Sequence, residues 1–174
     1  MASKIDETAL FKLQYGMYVV TSKKKDKING QIATVVTQIT YDPIQILTCI
    51  SKNTLTHEFI STSKVFAVTA LEQDTPMLFI GHFGFYSGRD IDKFADVAFT
   101  KGDTGCPLLV EHSLITLEAK VNKQVDVGSH TLFVANLLNA AVIKQGTAMT
   151  YEYYRDVIKG KSPKNAPTYH KPRG

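Results

Sequence analysis

A chain of 174 residues with 44% apolar and 21% charged residues suits one domain with a substantial core and excludes a disordered chain. Its net charge of +4 is local: it comes from the run Lys23-Lys24-Lys25-Asp26-Lys27 and from a tail holding Lys159, Lys161, Lys164, Lys171 and Arg173 without an acid. Such lysines read as solvated surface, and no nucleic-acid-binding module is legible.

Cys49 and Cys106 lie far apart with no CxxC, so neither a disulfide framework nor a zinc site is expected, and Cys49 reads as a small core residue. The start Met1-Ala-Ser-Lys-Ile-Asp lacks the apolar stretch of a signal peptide, and no run approaches the ~18 apolar residues of a membrane span. The expectation is a soluble cytoplasmic protein that binds neither membrane nor nucleic acid.

In chain order, acids in a first turn, the stripe Ala9, Leu10 and Leu13, and Gly16 as a stop predict a short helix over Asp6–Tyr15. Met17–Ser22 is strand-like, Asn29-Gly30 is the strongest short hairpin signal, and Gln31–Thr40 returns as a β-branched strand. After the turn Tyr41-Asp42-Pro43, Ile44 to Cys49 is apolar on both faces and reads as a strand buried on two sides. Asn53 or Thr54 caps a helix Leu55–Ser63 that buries Leu55, Phe59 and Ile60. A strand Lys64–Leu71 follows, then a helix opened by Pro76 and fading at Gly81 or Gly84. Phe83–Phe94 is a glycine-punctuated loop, and Asp96–Leu109 is mostly loop. Ser113–Asn122 alternates, with Ile115, Leu117, Ala119 and Val121 facing inward and Thr116, Glu118 and Lys120 wet. Val127-Gly128-Ser129-His130 turns into a strand Thr131–Leu138, extended by Ala140–Ile143. Thr150 caps a last helix, Tyr151–Lys159, ended by Gly160. Six or seven short strands with two or three helices predict a mostly β fold, a small antiparallel barrel with helical inserts.

The densest polar cluster is Ser51-Lys52-Asn53-Thr54 with His57. Hydroxyls, an amide, a lysine and helix-start N–H groups suit a phosphate, although plain helix capping accounts for the same residues. Thr34-Val35-Val36-Thr37-Gln38 would offer edge amides to a flat heterocycle if unpaired, as would many strands. Phe83-Gly84, Ser87-Gly88-Arg89-Asp90 and Lys93-Phe94 match neither GxGxxG nor a P-loop, and alone they read as surface loop. The five histidines show no HxH or HExxH, so no metal is expected. Tyr151, Tyr153 and Tyr154 read as docking the last helix.

Jointly these segments resemble a known family. They are Asn29-Gly30-x-x-Ala-Thr-x-Val-x-Gln to Asp42-Pro43, then Ser51-Lys52-Asn53-Thr54-x-x-His57, then Gly81-His-Phe-Gly-x-x-Ser-Gly-Arg-x-x-Asp-Lys-Phe94. Thr104-Gly105-x-Pro107, Val127-Gly-x-His130-x-Leu-Phe-Val and Met149 to Tyr169 complete the set. The pattern resembles the flavin reductase-like FMN-binding split-barrel family, and its closing segment looks like the flavin domain of high-molecular-weight rubredoxins. The resemblance implies a homodimer of six-stranded antiparallel split β-barrels, with residues 1–160 as the flavin domain and 161–174 as a basic extended tail. It implies bound FMN and NAD(P)H as electron donor. Thr34, Val35, Val36, Thr37 and Gln38 would line the ring and ribityl chain. Ser51, Lys52, Asn53, Thr54 and His57 would hold ribityl and phosphate. Phe83, Gly84, Ser87, Gly88 and Lys93 would close the site, and His130 and Tyr154 would serve the hydride face. Ser129 stands where relatives commonly carry Asp. Relatives with a rubredoxin continue into CxxC…CxxC, which these residues lack, so a separate acceptor is expected: a rubredoxin-like protein, free flavin, ferric iron or oxygen. A non-enzymatic FMN electron carrier and a flavin-free dimeric β-barrel are the alternatives.

Overall fold

The computed structural model describes residues 5–170. The strands are β1 (Tyr18–Lys24), β2 (Lys27–Ala33), β3 (Val36–Tyr41), β4 (Ile44–Ser51), β5 (Val65–Leu71), β6 (Phe99–Lys101), β7 (Pro107–Leu109), β8 (Ser113–Asp126) and β9 (His130–Val142). The helices are α1 (Leu55–Ser63), α2 (Met77–Gly84) and α3 (Tyr151–Asp156). Seven strands form one antiparallel sheet in the order β2-β1-β5-β8-β9-β4-β3, and β6 pairs β7 separately. The two edge strands, β2 and β3, follow each other in the chain with only Thr34 and Val35 between them. At that end the edges of the sheet therefore lie one short link apart.

β1 shows why the sheet is buried on both faces. Val20 joins a core with Ile46, Ile50, Ile60, Phe66, Phe133 and Ala135, while neighbouring Val19 joins another with Leu71, Ile80, Phe83, Phe94, Met149 and Tyr154. Successive side chains of a strand point to opposite faces, so one β-branched run serves both cores. Helix α1 packs on the first core and α2 and α3 on the second.

Several expectations change. The turn between β1 and β2 is Lys25-Asp26, with Lys25 at φ 55°, and Asn29-Gly30 lies inside β2 opposite Ser22 and Thr21. The Asn29 amide, buried, donates to Thr56 Oγ1 at 2.9 Å instead of supporting a turn. The run Gln31–Thr40 breaks at Thr34-Val35 into two strands with different partners, which makes the sheet seven-stranded rather than six. The N-terminal helix is a 3-10 segment, Glu7–Lys12, capped by Asp6, and Leu10 and Leu13 remain exposed because nothing packs on the stripe. In β4, Ile46, Thr48 and Ile50 are buried while Gln45, Leu47 and Cys49 are only half-buried. Thr54 caps α1 with its hydroxyl accepting from the His57 N–H, and α1 buries Thr56, Phe59 and Ile60, with Leu55 only half-buried. The last helix ends at Asp156 rather than Lys159, and the loop expected at Asp96–Leu109 contains the β6–β7 hairpin.

The face of β8 is the largest revision. Thr116 and Glu118 are buried, as is Leu114, and Ala119 and Val121 are buried too. Glu118 and Ala119 still point to opposite faces of β8, and both are buried because Ala119 enters the first core while Glu118 meets the Asp103-Thr104 loop. Glu118, 2% exposed, takes hydrogen bonds from the Thr104 N–H (2.8 Å) and hydroxyl (2.6 Å), the Asp103 N–H (3.2 Å) and the Asn139 amide (3.4 Å). Burial would raise its pKa, but these donors outweigh burial and hold it below the usual carboxylate value. Glu118→Ala should therefore cost about 3 kcal/mol, by leaving buried N–H groups without acceptors. In a calorimetric melt this is a fall of about 10 °C for a chain of this size. Because the folded carboxyl is the stronger acid, its contribution is present above its unfolded pKa of ~4.3 and is lost as pH falls through the lower folded value.

Past Gly160 the chain folds back. The Tyr154 hydroxyl donates to the Lys161 carbonyl at 2.9 Å, the Tyr151 hydroxyl meets Ser162 Oγ at 2.7 Å, and Thr168 is buried. Residues 161–168 are thus a strap against α3, not a free tail, while Lys171 and Arg173 lie outside the described residues. Among the described residues no helix is long and apolar enough to cross a membrane.

Candidate functional site

The strap covers a cavity of about 170 Å³. Its floor is one face of β2, where Asn29, Gln31 and Ala33 point the same way, continued by Thr34. One wall is the corner between β4 and α1: Ser51, Asn53, Thr54 and Thr56. The corner exists because Thr54 leaves the strand in an extended conformation and caps the helix, its hydroxyl accepting from the His57 N–H. The opposite wall is the end of α2 and the following loop, with Phe83, Gly84, Tyr86, Ser87 and Gly88. Gly88 lies so close to the Asn29 amide that a Cβ there would collide with it.

Lys93 closes this wall. It is 4% exposed, and its ammonium donates to the carbonyls of Gly30 and Phe83, each at 3.0 Å. Burial pushes its pKa down to about 8, and no carboxylate among the described residues pairs with it. An ammonium has three donors, so one remains for a ligand.

Two side-chain oxygens in the cavity, Gln31 Oε1 and Thr34 Oγ1, are shut off from solvent with no hydrogen-bond partner. Native interiors rarely leave such atoms unpaired, so each calls for a polar partner, a bound water or a ligand. A larger, shallower cleft of about 520 Å³ adjoins at Met17 and Thr34, lined also by Tyr15, Tyr18, Val35, Val36 and Thr37.

The residues singled out in the sequence divide accordingly. Thr34, Ser51, Asn53, Thr54, Phe83, Gly84, Ser87, Gly88, Lys93 and Tyr154 line the cavity together, and Val35, Val36 and Thr37 line the adjoining cleft. Gln38, Lys52, His57 and His130 line neither. Gln38 is exposed on edge strand β3, and Lys52 turns outward to pair with Asp126 at 2.6 Å. The His57 ring packs against Phe133 and shares a 2.8 Å hydrogen bond with Thr131 Oγ1, while burial, then Lys52 and His130, lower its pKa.

His130 sits opposite Ser51 across the β4–β9 pair. Its Nε2–H donates to the Asn165 carbonyl at 3.1 Å, which leaves Nδ1 to accept from the Ser129 hydroxyl at 2.8 Å. Both ring nitrogens are therefore engaged, Nε2 by the strap and Nδ1 by Ser129. Tyr154 is buried, its hydroxyl is committed to Lys161, and burial raises its pKa.

Asn29, Gln31, Thr56 and the strap were not among the expected site residues. The alternation Asn29, Gln31, Ala33 could have flagged the first two, but the strong Asn-Gly turn signal hid it. Nothing in the strap's composition announces where it folds.

Residues 10–162 match the model of the flavin reductase like domain. The high molecular weight rubredoxin of Moorella thermoacetica is 46% identical over 165 residues, covering 95% of this chain and 72% of that protein. The ferric-chelate reductase (NAD(P)H) of Archaeoglobus fulgidus is 43% identical over 165 residues, covering 95% of this chain and 98% of that protein. Among solved structures, the NADH:FAD oxidoreductase SgcE6 of Streptomyces globisporus shares the fold at a TM-score of 0.76 and 23% identity, covering 86% of this chain and 92% of that one. With a family match spanning most of the sequence and two full-length-scale relatives above 40% identity, the chain belongs to the flavin reductase like domain family and is a flavin reductase-like oxidoreductase.

Proposed function

We propose that the cavity holds FMN, that NAD(P)H is the electron donor, and that the electrons leave to a separate acceptor. The observation that carries this reading is Lys93: a buried, uncompensated ammonium lining the same cavity as the N-terminal corner of a helix suits an anion. Ser51, Asn53 and Ser87 supply donors suited to a phosphate, Thr54 holds the corner by donating to the Ser51 carbonyl, and the unpaired Gln31 and Thr34 oxygens add polar lining. Bound flavin supplies the hydride-accepting ring, and it can pass electrons on singly or in pairs. The chain's own residues bind and orient it and keep water out. Thr34 to Thr37 and their cleft serve the ring, Tyr154 and His130 fix the strap, and Lys93 holds a positive charge at the phosphate.

Solved relatives include an FMN-binding protein from Thermus thermophilus, of the same fold at a TM-score of 0.73. The relative named a high molecular weight rubredoxin and the one named a ferric-chelate reductase support a rubredoxin-type protein or ferric iron as acceptor. The two edge strands joined by a two-residue link support a split barrel, and the apolar side chains exposed on β3, β4 and β9 (Ile39, Tyr41, Ile44, Leu138, Val142) support a homodimer. We read residues 1–160 as the flavin domain and 161–174 as an appended segment.

One observation favours a second reading, a non-enzymatic FMN carrier: the strap lies over the cavity and occupies His130, which restricts approach to the flavin. Anaerobic mixing with NADH or NADPH separates the two. Flavin absorbance lost within seconds supports the reductase; absorbance steady for minutes supports the carrier. Protein that stays colourless with added FMN refutes both. Thr54→Val tests the phosphate corner. It should cost about 1 kcal/mol of stability through the lost cap, and it should weaken FMN about tenfold while barely changing riboflavin, which has no phosphate.

A further inference from the structure

We propose that Glu58 selects FMN over the dinucleotide FAD, by latching shut the phosphate end of the cavity. This rests on the reading of the cavity as an FMN site and deepens it by naming what stands beyond the phosphate. Glu58 lies in the first turn of α1 and joins two other elements to it. Lys24, at the end of β1, donates to its Oε1 at 2.6 Å, and Arg89, in the loop after α2, donates to its Oε2 at 3.1 Å. These hydrogen bonds, Lys24 first, hold the Glu58 carboxyl below the usual carboxylate range, so the latch stands at neutral pH.

The latch sits just outside the cavity lining. Asn29 and Gly88 line the cavity, whereas Lys24, Glu58 and Arg89 do not. Asn29 marks the phosphate end, since its amide donates to Thr56 in the first turn of α1, and Gly88 abuts that amide. Arg89 follows Gly88 in the chain, and Lys24 stands opposite Lys27 in the hairpin that leads to Asn29. The Arg89 N–H also donates to Ser87 Oγ at 3.1 Å, so the ion pair with Glu58 holds the loop that carries Ser87 and Gly88 against α1 and β2. FMN and FAD are identical from the ring to the first phosphate. They differ only beyond it, where FAD continues into a second phosphate and adenosine. What tells them apart must therefore lie past the phosphate corner, where this loop meets α1 and β2. A dinucleotide needs that contact to part; a mononucleotide does not.

The test is the ratio of FAD to FMN affinity, read by fluorescence quenching on the intact protein. The parent should prefer FMN. Glu58→Gln keeps the shape and removes the charge, while Arg89→Gln frees the loop and leaves the carboxylate. Both should raise the ratio about fivefold, the upper end of what exposed ion pairs are worth, with FMN affinity itself barely changed. The two variants move the local charge in opposite directions. Simple charge attraction would raise the ratio in Glu58→Gln and lower it in Arg89→Gln, and that split would overturn the latch. Amide hydrogen exchange over residues 85–90 of the flavin-free protein should quicken in both variants, a readout that needs no ligand; unchanged exchange would show that the pairs do not hold the loop and would also overturn it. So would a parent that binds FAD and FMN alike, an unchanged ratio in both variants, or a marked loss of FMN affinity in Arg89→Gln, which would make Arg89 a phosphate ligand instead. If the parent protein itself binds no flavin, the underlying cofactor reading fails, a different result.

Discussion

Lys93→Met should leave a folded protein that has lost its flavin. Losing the ammonium removes two hydrogen bonds to the Gly30 and Phe83 carbonyls, a cost of about 2–3 kcal/mol. It also removes the penalty of burying an uncompensated charge, which is of similar or larger size. Stability should consequently change little, whereas FMN affinity should fall about a hundredfold, the order expected when one partner of a desolvated charge pair is removed. Equilibrium dialysis with FMN and a thermal melt separate the two effects; retained FMN affinity would remove Lys93 from the phosphate site.

The same lysine makes two pH dependences run in opposite directions. Its folded pKa, lowered by burial to about 8, lies below the ~10.5 of an unfolded lysine. Between those values the unfolded chain binds more protons, so the contribution of Lys93 makes the flavin-free protein more stable as pH rises from 8 to 10.5. FMN affinity should instead decline as pH rises above about 8, because the phosphate loses its cationic partner. Lys93→Met should flatten both profiles.

Ending the chain after Gly160 should release flavin much faster. The strap contributes Lys161, Ser162, Pro163, Asn165, Ala166 and Pro167 to the cavity lining and is fastened at His130, Tyr151 and Tyr154. Removing it opens one side of the cavity and deletes several hydrogen bonds, each worth about 0.5–1.5 kcal/mol. A stopped-flow trace of FMN release into apoflavodoxin-type scavenger should accelerate at least tenfold, with hydride transfer from NAD(P)H retained. The carrier reading is strengthened if this deletion switches on reduction that the full chain lacks. Gly160→Val should reproduce part of the effect without shortening the chain, since a Cβ there runs into the Tyr154 ring. An unchanged release rate in both variants would show that the strap is only packing.

The helix cap at Thr54, the helix over Leu55–Ser63, the strand ending at Leu71 and the helix ending at Gly84 are legible because each depends on neighbours in sequence. A hydroxyl caps the next turn, and a β-branched run stiffens its own backbone. The errors fall where distant partners overrule local preference. Asn29-Gly30 has the composition of a turn, yet Thr56 recruits the asparagine and the ladder with β1 carries the strand through it. Glu118 has the period of a wet face, yet the Asp103-Thr104 loop covers that face and makes it a buried acceptor.

The candidate site divides in the same way. Ser51, Asn53 and Thr54 stand out as a local polar cluster that plain capping also explains, whereas Ser87, Gly88 and Lys93 read alone as surface loop and are named only through the family resemblance. Sequence by itself also determined the β-rich class and the family, through the joint spacing of those motifs. Only the tertiary structure decided that the charge on Lys93 is buried and uncompensated, that Lys52, His57 and His130 turn away from the cavity, and that residues 161–167 roof it. Burial, a missing counter-charge and a covering segment are relations between residues far apart in the chain. They have no local signature, because they arise only when β2, α1, α2 and the strap converge on one space.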